Sequence, residues 1–197
     1  MAVFNKQGLI AELLDRTELV KASTQPFLRL TDEQLNYKTV PGKWSIVEIF
    51  GHLNITLDIY IRSILARTTL APDVPSETYR SGWLGDWLYA LTIPRADGTV
   101  FRMKTLKSYS APGYKENGRE VLETFLRKCD DMDDILRHIA TKDMQRIKIP
   151  FLYPFIHLRL GDNLRCLVAH SERHLLQAQR VMSQLPQRAD RLSDRGV

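Results

Sequence analysis

His170 and His174 stand four residues apart near the C-terminal end of the chain, within Leu164-Arg165-Cys166-Leu167-Val168-Ala169-His170-Ser171-Glu172-Arg173-His174-Leu175-Leu176-Gln177. Leu164, Leu167, Val168, Leu175, Ala178, Met182 and Leu185 recur at helical spacing through this stretch, and on a helix residues four apart stack one turn apart on the same side. Two imidazoles so placed can chelate a metal ion. The same spacing also serves surface histidines, or core histidines whose hydrogen bonds are already satisfied. A third ligand from elsewhere in the chain would separate these readings, and His52 is the candidate. At 100° per residue it lies about 120° around from Ile46, on the flank of an apolar stripe, while His170 and His174 lie about 120° and 80° from Leu164. Flank histidines on two helices packed side by side meet at a shared cleft. Taken alone, His52 equally suits a core-edge histidine bonded to a backbone carbonyl. His138, near a helix end, and His157, in a following loop, have no ligand-like neighbours.

The helices that must position these residues follow from the apolar pattern. Ile10, Leu13, Leu14, Thr17, Val20 and Ala22 mark a first amphipathic helix over about 3–25, which Pro26 should kink or end. Thr31 to Gln34 offers a T-x-x-Q capping box for one short turn. Ser45 and Glu48 form an S-x-x-E capping box at the start of a second helix, 45–67, with Trp44 just outside it and Ile46, Ile49, Phe50, Leu53, Leu57, Tyr60, Ile61 and Ile64 on one stripe. A third helix over 118–140 carries Leu122, Phe125, Leu126, Cys129, Met132, Leu136 and Ile139. Its clustered Asp130, Asp131, Asp133 and Asp134 lack the spacing of a calcium loop and read as a solvated face. The fourth helix, 162–184, follows an apolar connection and a possible cap at Gly161 and Asp162.

Residues 68–116 hold prolines, glycines and aromatic residues at a density that excludes one long helix, although Ser81 to Leu91 suits a short one. They are too aromatic for a disordered linker and too few for a second domain, so they read as an ordered crossover walling the bundle. The pattern therefore predicts an all-α fold: a four-helix bundle of antiparallel type with a long ordered crossover between its second and third helices. One domain spans 1–185, and the tail 186–197 should fray.

Composition narrows the function classes. A chain of 197 residues with 44% hydrophobic content suits one domain with a sizeable core. No apolar run approaches the roughly 20 residues needed to cross a bilayer, and the N-terminus lacks the layout of a secretion signal, so a cytoplasmic protein without a membrane partner is expected. Cys129 and Cys166 fall on no metal-motif spacing and read as packed thiols in a reducing compartment. The net charge of +5 is spread over helices where acidic residues alternate with basic ones, which argues against a nucleic-acid partner. The one local excess, Arg95, Arg102, Lys104, Lys107 and Lys115, lies in the crossover. It suits either a pocket for a small anion, such as a thiol carrying carboxylates, or the solubility of an apolar excursion.

Several of these segments together carry a family resemblance. Thr31-Asp32-Glu33-Gln34-Leu35, Pro41-Gly42-Lys43-Trp44-Ser45-Ile46-Val47-Glu48-Ile49 leading to Gly51-His52-Leu53, Leu160-Gly161-Asp162, and Ala169 to Gln177 resemble the DinB/YfiT-like superfamily of metal-dependent enzymes. The resemblance implies that His52, His170 and His174 hold one divalent metal, Zn²⁺ or Ni²⁺, inside the bundle. It also implies a homodimer, and the family's segment that approaches the metal has a loose match in Tyr109-Ser110-Ala111-Pro112. Some relatives are hydrolases and others transfer low-molecular-weight thiols such as bacillithiol or mycothiol. Three readings therefore stand: a metal-dependent thiol S-transferase or hydrolase acting on a small-molecule substrate, with a thiol as co-substrate in the first case; a non-catalytic metal- or ligand-binding stress-response protein; and a structural dimer whose histidines only pack. No general base stands beside the three ligands in sequence, and no catalytic residue is assigned. Glu48 and Gln177, each within a turn of a ligand, are candidates to orient imidazoles, with Glu48 expected at the surface.

Overall fold

The computed structural model describes residues 1–93, 101 and 117–186. In chain order these form β1 (Val3–Asn5), α1 (Lys6–Thr24), α2 (Asp32–Leu35), α3 (Ile46–Thr68), β2 (Thr78–Arg80), α4 (Trp83–Thr92), α5 (Gly118–His138), β3 (Lys148–Phe151), β4 (Tyr153–Arg159) and α6 (Leu160–Met182). The long helices α1, α3, α5 and α6 build the bundle, and both capping boxes form as their sequences predict, at Thr31 with Gln34 and at Ser45 with Glu48. Asn5 caps α1 by accepting the Gly8 amide at 2.8 Å, and the proline ends this helix instead of kinking it, because the chain tightens into a 3-10 turn over Gln25–Arg29.

Cross-helix contacts fix the direction of each helix. Lys21 near the end of α1 pairs with Asp130 and Asp133 on α5, while Lys6 at its start donates to the Lys142 carbonyl just beyond α5, so these two helices are antiparallel. Asn54 donates to the Val121 carbonyl and Asp58 pairs with Lys128, so α3 and α5 run parallel. Arg165 covers the Phe4 ring and Glu172 holds Arg16, so α1 and α6 also run parallel, which leaves α3 and α6 antiparallel. The bundle is thus mixed, with parallel pairs where the pattern predicts an antiparallel type. Parallel neighbours cannot be joined by a tight turn, which is why a long crossover separates α3 from α5. At the centre of the core, Phe50 packs edge-on to both Phe27 and Phe125, with ring centroids 5.4 and 5.0 Å apart.

The described part of the crossover is tied down at several points. β2 pairs antiparallel with β1 in the register Phe4↔Tyr79, and α4 is the short helix expected over 81–91. Gly85 lets α4 approach α6 closely: a Cβ there would fall 2.1 Å from Cγ of Asp162. Arg165 then joins the layers, bonding Asp86 at 2.9 Å and Asp162 at 3.5 Å with its guanidinium over the rings of Phe4 and Tyr89. Residues 94–100 and 102–116, and with them Arg95, Arg102, Lys104, Lys107, Lys115 and Tyr109 to Pro112, lie outside the described residues, as does the tail 187–197.

Some expectations change on folding. The apolar connection before α6 is a β-hairpin, β3 against β4, turning at Leu152 with φ 61°. Gly161 and Asp162 lie inside α6, and Asp162 accepts the Gly82 amide at 2.9 Å from the crossover. His157 therefore sits on a strand, opposite Pro150. Of the four clustered aspartates, Asp133 is buried against Lys21, whereas Asp130, Asp131 and Asp134 are exposed. Cys129 and Cys166 are buried free thiols, and burial pushes both up to about 12. No helix among the described residues is long and apolar enough to cross a membrane.

Candidate metal centre

The capping box at Ser45 fixes where α3 begins, and so places His52 two turns in, facing α6. His170 and His174 come from the middle of α6, which packs antiparallel to α3 and so brings them to His52. His52 is buried, and His170 and His174 keep partly exposed edges. The Nε2 atoms of His52 and His170 are 3.1 Å apart, and ring centroids are separated by 5.2 Å (His52 to His170), 4.8 Å (His52 to His174) and 4.5 Å (His170 to His174). One nitrogen from each ring can be chosen so that all three lie within 4.8 Å of one another. Two nitrogens bound to one tetrahedral ion at about 2.0–2.1 Å are themselves about 3.3 Å apart, so the observed triangle fits a single metal after small ring adjustments.

Burial keeps the two imidazoles of α6 in the form that binds metals. Burial, followed by the charges of the other two histidines and of Arg173, holds the His170 pKa well below the usual imidazole value. Burial, then His52 and Arg173, lowers that of His174 to about 3. A neutral imidazole offers a lone pair, and hydrogen bonding at one ring nitrogen decides which one. Gln177 makes that choice for His174: its Oε1 lies 3.0 Å from Nδ1, accepts the proton there and leaves Nε2 for the centre. Gln177 lies three residues from His174 on the same helix, so one side chain reaches the other without any tertiary help.

Glu48 departs from expectation. It is buried, not exposed, and its carboxylate accepts the Ser45 amide at 2.9 Å and the Lys38 ammonium at 2.8 Å, completing the cap. Trp44 contributes more than a packed first turn: its ring lies 5.0 Å from that of His52 and 6.1 Å from that of His174, walling one side of the cluster. On α6, Glu172 is held by a two-pronged ion pair with Arg16 of α1, at 2.8 and 2.7 Å, and Arg16 also reaches the Tyr89 hydroxyl at 3.1 Å. Arg173 donates to the carbonyls of Leu91 and Phe101 at the two edges of a crossover segment. These roles escape a reading of the sequence, because Arg16 and Glu172 are separated by most of the chain. The one available signal was position, with Glu172 and Arg173 lying between the two ligands. His138 and His157 stand apart from the cluster.

A mixed four-helix bundle with three imidazoles converging from α3 and α6 defines a class: a helical scaffold carrying a candidate metal site with three nitrogen donors. The chain belongs to the DinB superfamily, whose family model matches residues 16–178 and so includes all three histidines. No curated protein and no solved structure matches the chain.

Proposed function

We propose that His52, His170 and His174 hold one divalent metal ion, Zn²⁺ or Ni²⁺, and that the protein is a metal-dependent enzyme acting on a small molecule as a thiol S-transferase or hydrolase. The observation that carries this reading is the convergence of three imidazoles from helices far apart in sequence, two of them kept neutral by burial and one of those bonded through Nδ1 to Gln177. When bound, such an ion supplies Lewis acidity and lowers the pKa of a water or thiol beside it. Three protein ligands, unlike four, leave that position open.

The surrounding residues prepare the site. Gln177 orients His174, and Trp44 packs beside His52 and stacks on His174. Among the described residues the two nearby carboxylates are engaged in ion pairs, Glu48 with Lys38 and Glu172 with Arg16, which disfavours either as a general base. That favours a reaction whose nucleophile is activated at the centre itself.

Elemental analysis of the purified protein tests the metal, with about one ion per chain expected and none in the triple variant His52→Ala, His170→Ala, His174→Ala. Unaltered metal content in that variant would place any site elsewhere. Activity is then screened on the metal-loaded protein, with bacillithiol, mycothiol or glutathione plus an electrophile for the transferase, and with ester and amide substrates alone for the hydrolase. A loaded protein inactive across both panels moves the reading to a non-catalytic metal-binding protein.

A further inference from the structure

Among the described residues, Arg173 differs from the other half-buried or paired cations of this part of the fold. Arg16 has Glu172, Arg165 has Asp86 and Asp162, and Lys38 has Glu48. Arg173 is half-buried, yet among the described residues no carboxylate pairs with it, and its donors meet only the Leu91 and Phe101 carbonyls. Its neighbour Glu172 is not available, because both of its oxygens are taken by Arg16. Burial disfavours the Arg173 charge, and among the described residues no anion offsets it. Arg173 follows His170 by three residues on α6 and adjoins His174, so its side chain leaves the helix one turn along from the His170 ligand position. A half-buried guanidinium without a counter-ion is costly unless something else supplies the negative charge.

The rest of the site deepens that deficit. None of the three candidate ligands is an anion, so a divalent ion held by them would bring two positive charges that no described ligand balances, beside the third on Arg173. A ligand with a single negative donor at the open position leaves most of this uncompensated. We propose, resting on the metal reading above, that Arg173 is a specificity-determining residue that binds a carboxylate of the small molecule whose donor atom occupies the open metal position. The substrate or co-substrate class is then a small anion carrying a carboxylate besides its metal-binding group. The planar guanidinium fork matches a carboxylate with two parallel hydrogen bonds, which the present carbonyl partners use only in part.

The test compares two probes that differ in one group, 3-mercaptopropionate and 3-mercapto-1-propanol, titrated into Co²⁺-loaded protein and followed by the cobalt absorption spectrum. Chelation by the carboxylate itself is common to all variants, so the readout is how the affinity ratio of the two probes changes with the residue at 173. For Arg173→Gln the carboxylate probe is expected to weaken about tenfold or more, the loss of one hydrogen-bonded charge pair, while the alcohol probe changes little. Arg173→Lys keeps the charge without the fork and should fall between; it also carries the test if the glutamine variant does not fold. If Arg173 were only a strut for the crossover, both probes would weaken together, and an unchanged ratio overturns the inference. Cobalt content is measured first. A wild-type protein that takes up no cobalt overturns the metal reading and this inference with it, whereas a loaded protein whose carboxylate preference survives both substitutions overturns this inference alone.

Discussion

At the scale of single residues, the cluster is organised by what each imidazole is denied. Burial denies His170 and His174 their protons, and Gln177 denies His174 the wrong tautomer. Gln177→Ala should therefore lower metal affinity about 10- to 100-fold, as is usual for partners that orient a ligand, with little change in the stability of the metal-free protein. Competition with a chelator of known affinity measures this. The same burial makes the metal-free protein acid-sensitive. Unfolded histidines take up protons near pH 6.5, but His174 in the fold does so only near pH 3 and His170 also well below 6.5. The unfolded state thus binds more protons in that window, so this contribution to stability is intact above pH 6.5 and is lost as pH falls towards 3. Urea unfolding at pH 7 and pH 4.5, with metal removed by chelator, should show a larger drop for the wild type than for His170→Ala, His174→Ala. An equal drop would mean that the imidazoles are not held neutral by the fold.

At the scale of elements, the site depends on where α3 starts and how α1 is clamped to its neighbours. Ser45→Ala removes the acceptor for the Glu48 amide and should cost about 1 kcal/mol in global stability, with metal affinity changed far less than by Gln177→Ala. Chemical denaturation and metal titration of the two variants should give opposite rankings, which separates holding the helix from holding the ligand. On the other side of the bundle, Asp133 is buried and Lys21 is its ion-pair partner. Lys21→Ala leaves that carboxylate without its cation and should destabilise by about 2 kcal/mol, whereas adding Asp133→Ala should restore part of the loss. A double variant as unstable as the sum of both single ones would show that the pair is not coupled.

For the molecule as a whole, the three histidines join α3 to α6, and the Arg165 network joins α6 to α4 and the N-terminal strand. A metal bound across α3 and α6 binds the folded chain and not the unfolded one, so it stabilises by mass action, about 2.7 kcal/mol at one hundred times its Kd. Thermal unfolding should rise with added Zn²⁺ and fall with chelator, and this response should vanish in the triple histidine variant. A response that persists there would point to metal bound elsewhere on the chain.

The sequence by itself determined what is local or periodic. The four stripes, the capping boxes at Thr31 and Ser45, the helix stop ahead of Pro26 and the one-turn spacing of His170 and His174 are set by interactions within a few residues. His52 was legible as a candidate because its place on a stripe flank is also a helix-geometry fact, and the family resemblance raised it above a core-edge histidine. The tertiary structure decided everything that needs two distant segments to meet. It decided the mixed helix directions, the burial of Asp133 by Lys21, the inward turn of Glu48 to meet Lys38 and its cap, and the hairpin at 148–159. It also decided that Glu172 is spent on Arg16, which leaves Arg173 without a carboxylate among the described residues. Such pairings depend on how helices are placed in space, and helical periodicity carries no information about which face of which neighbour a side chain will find.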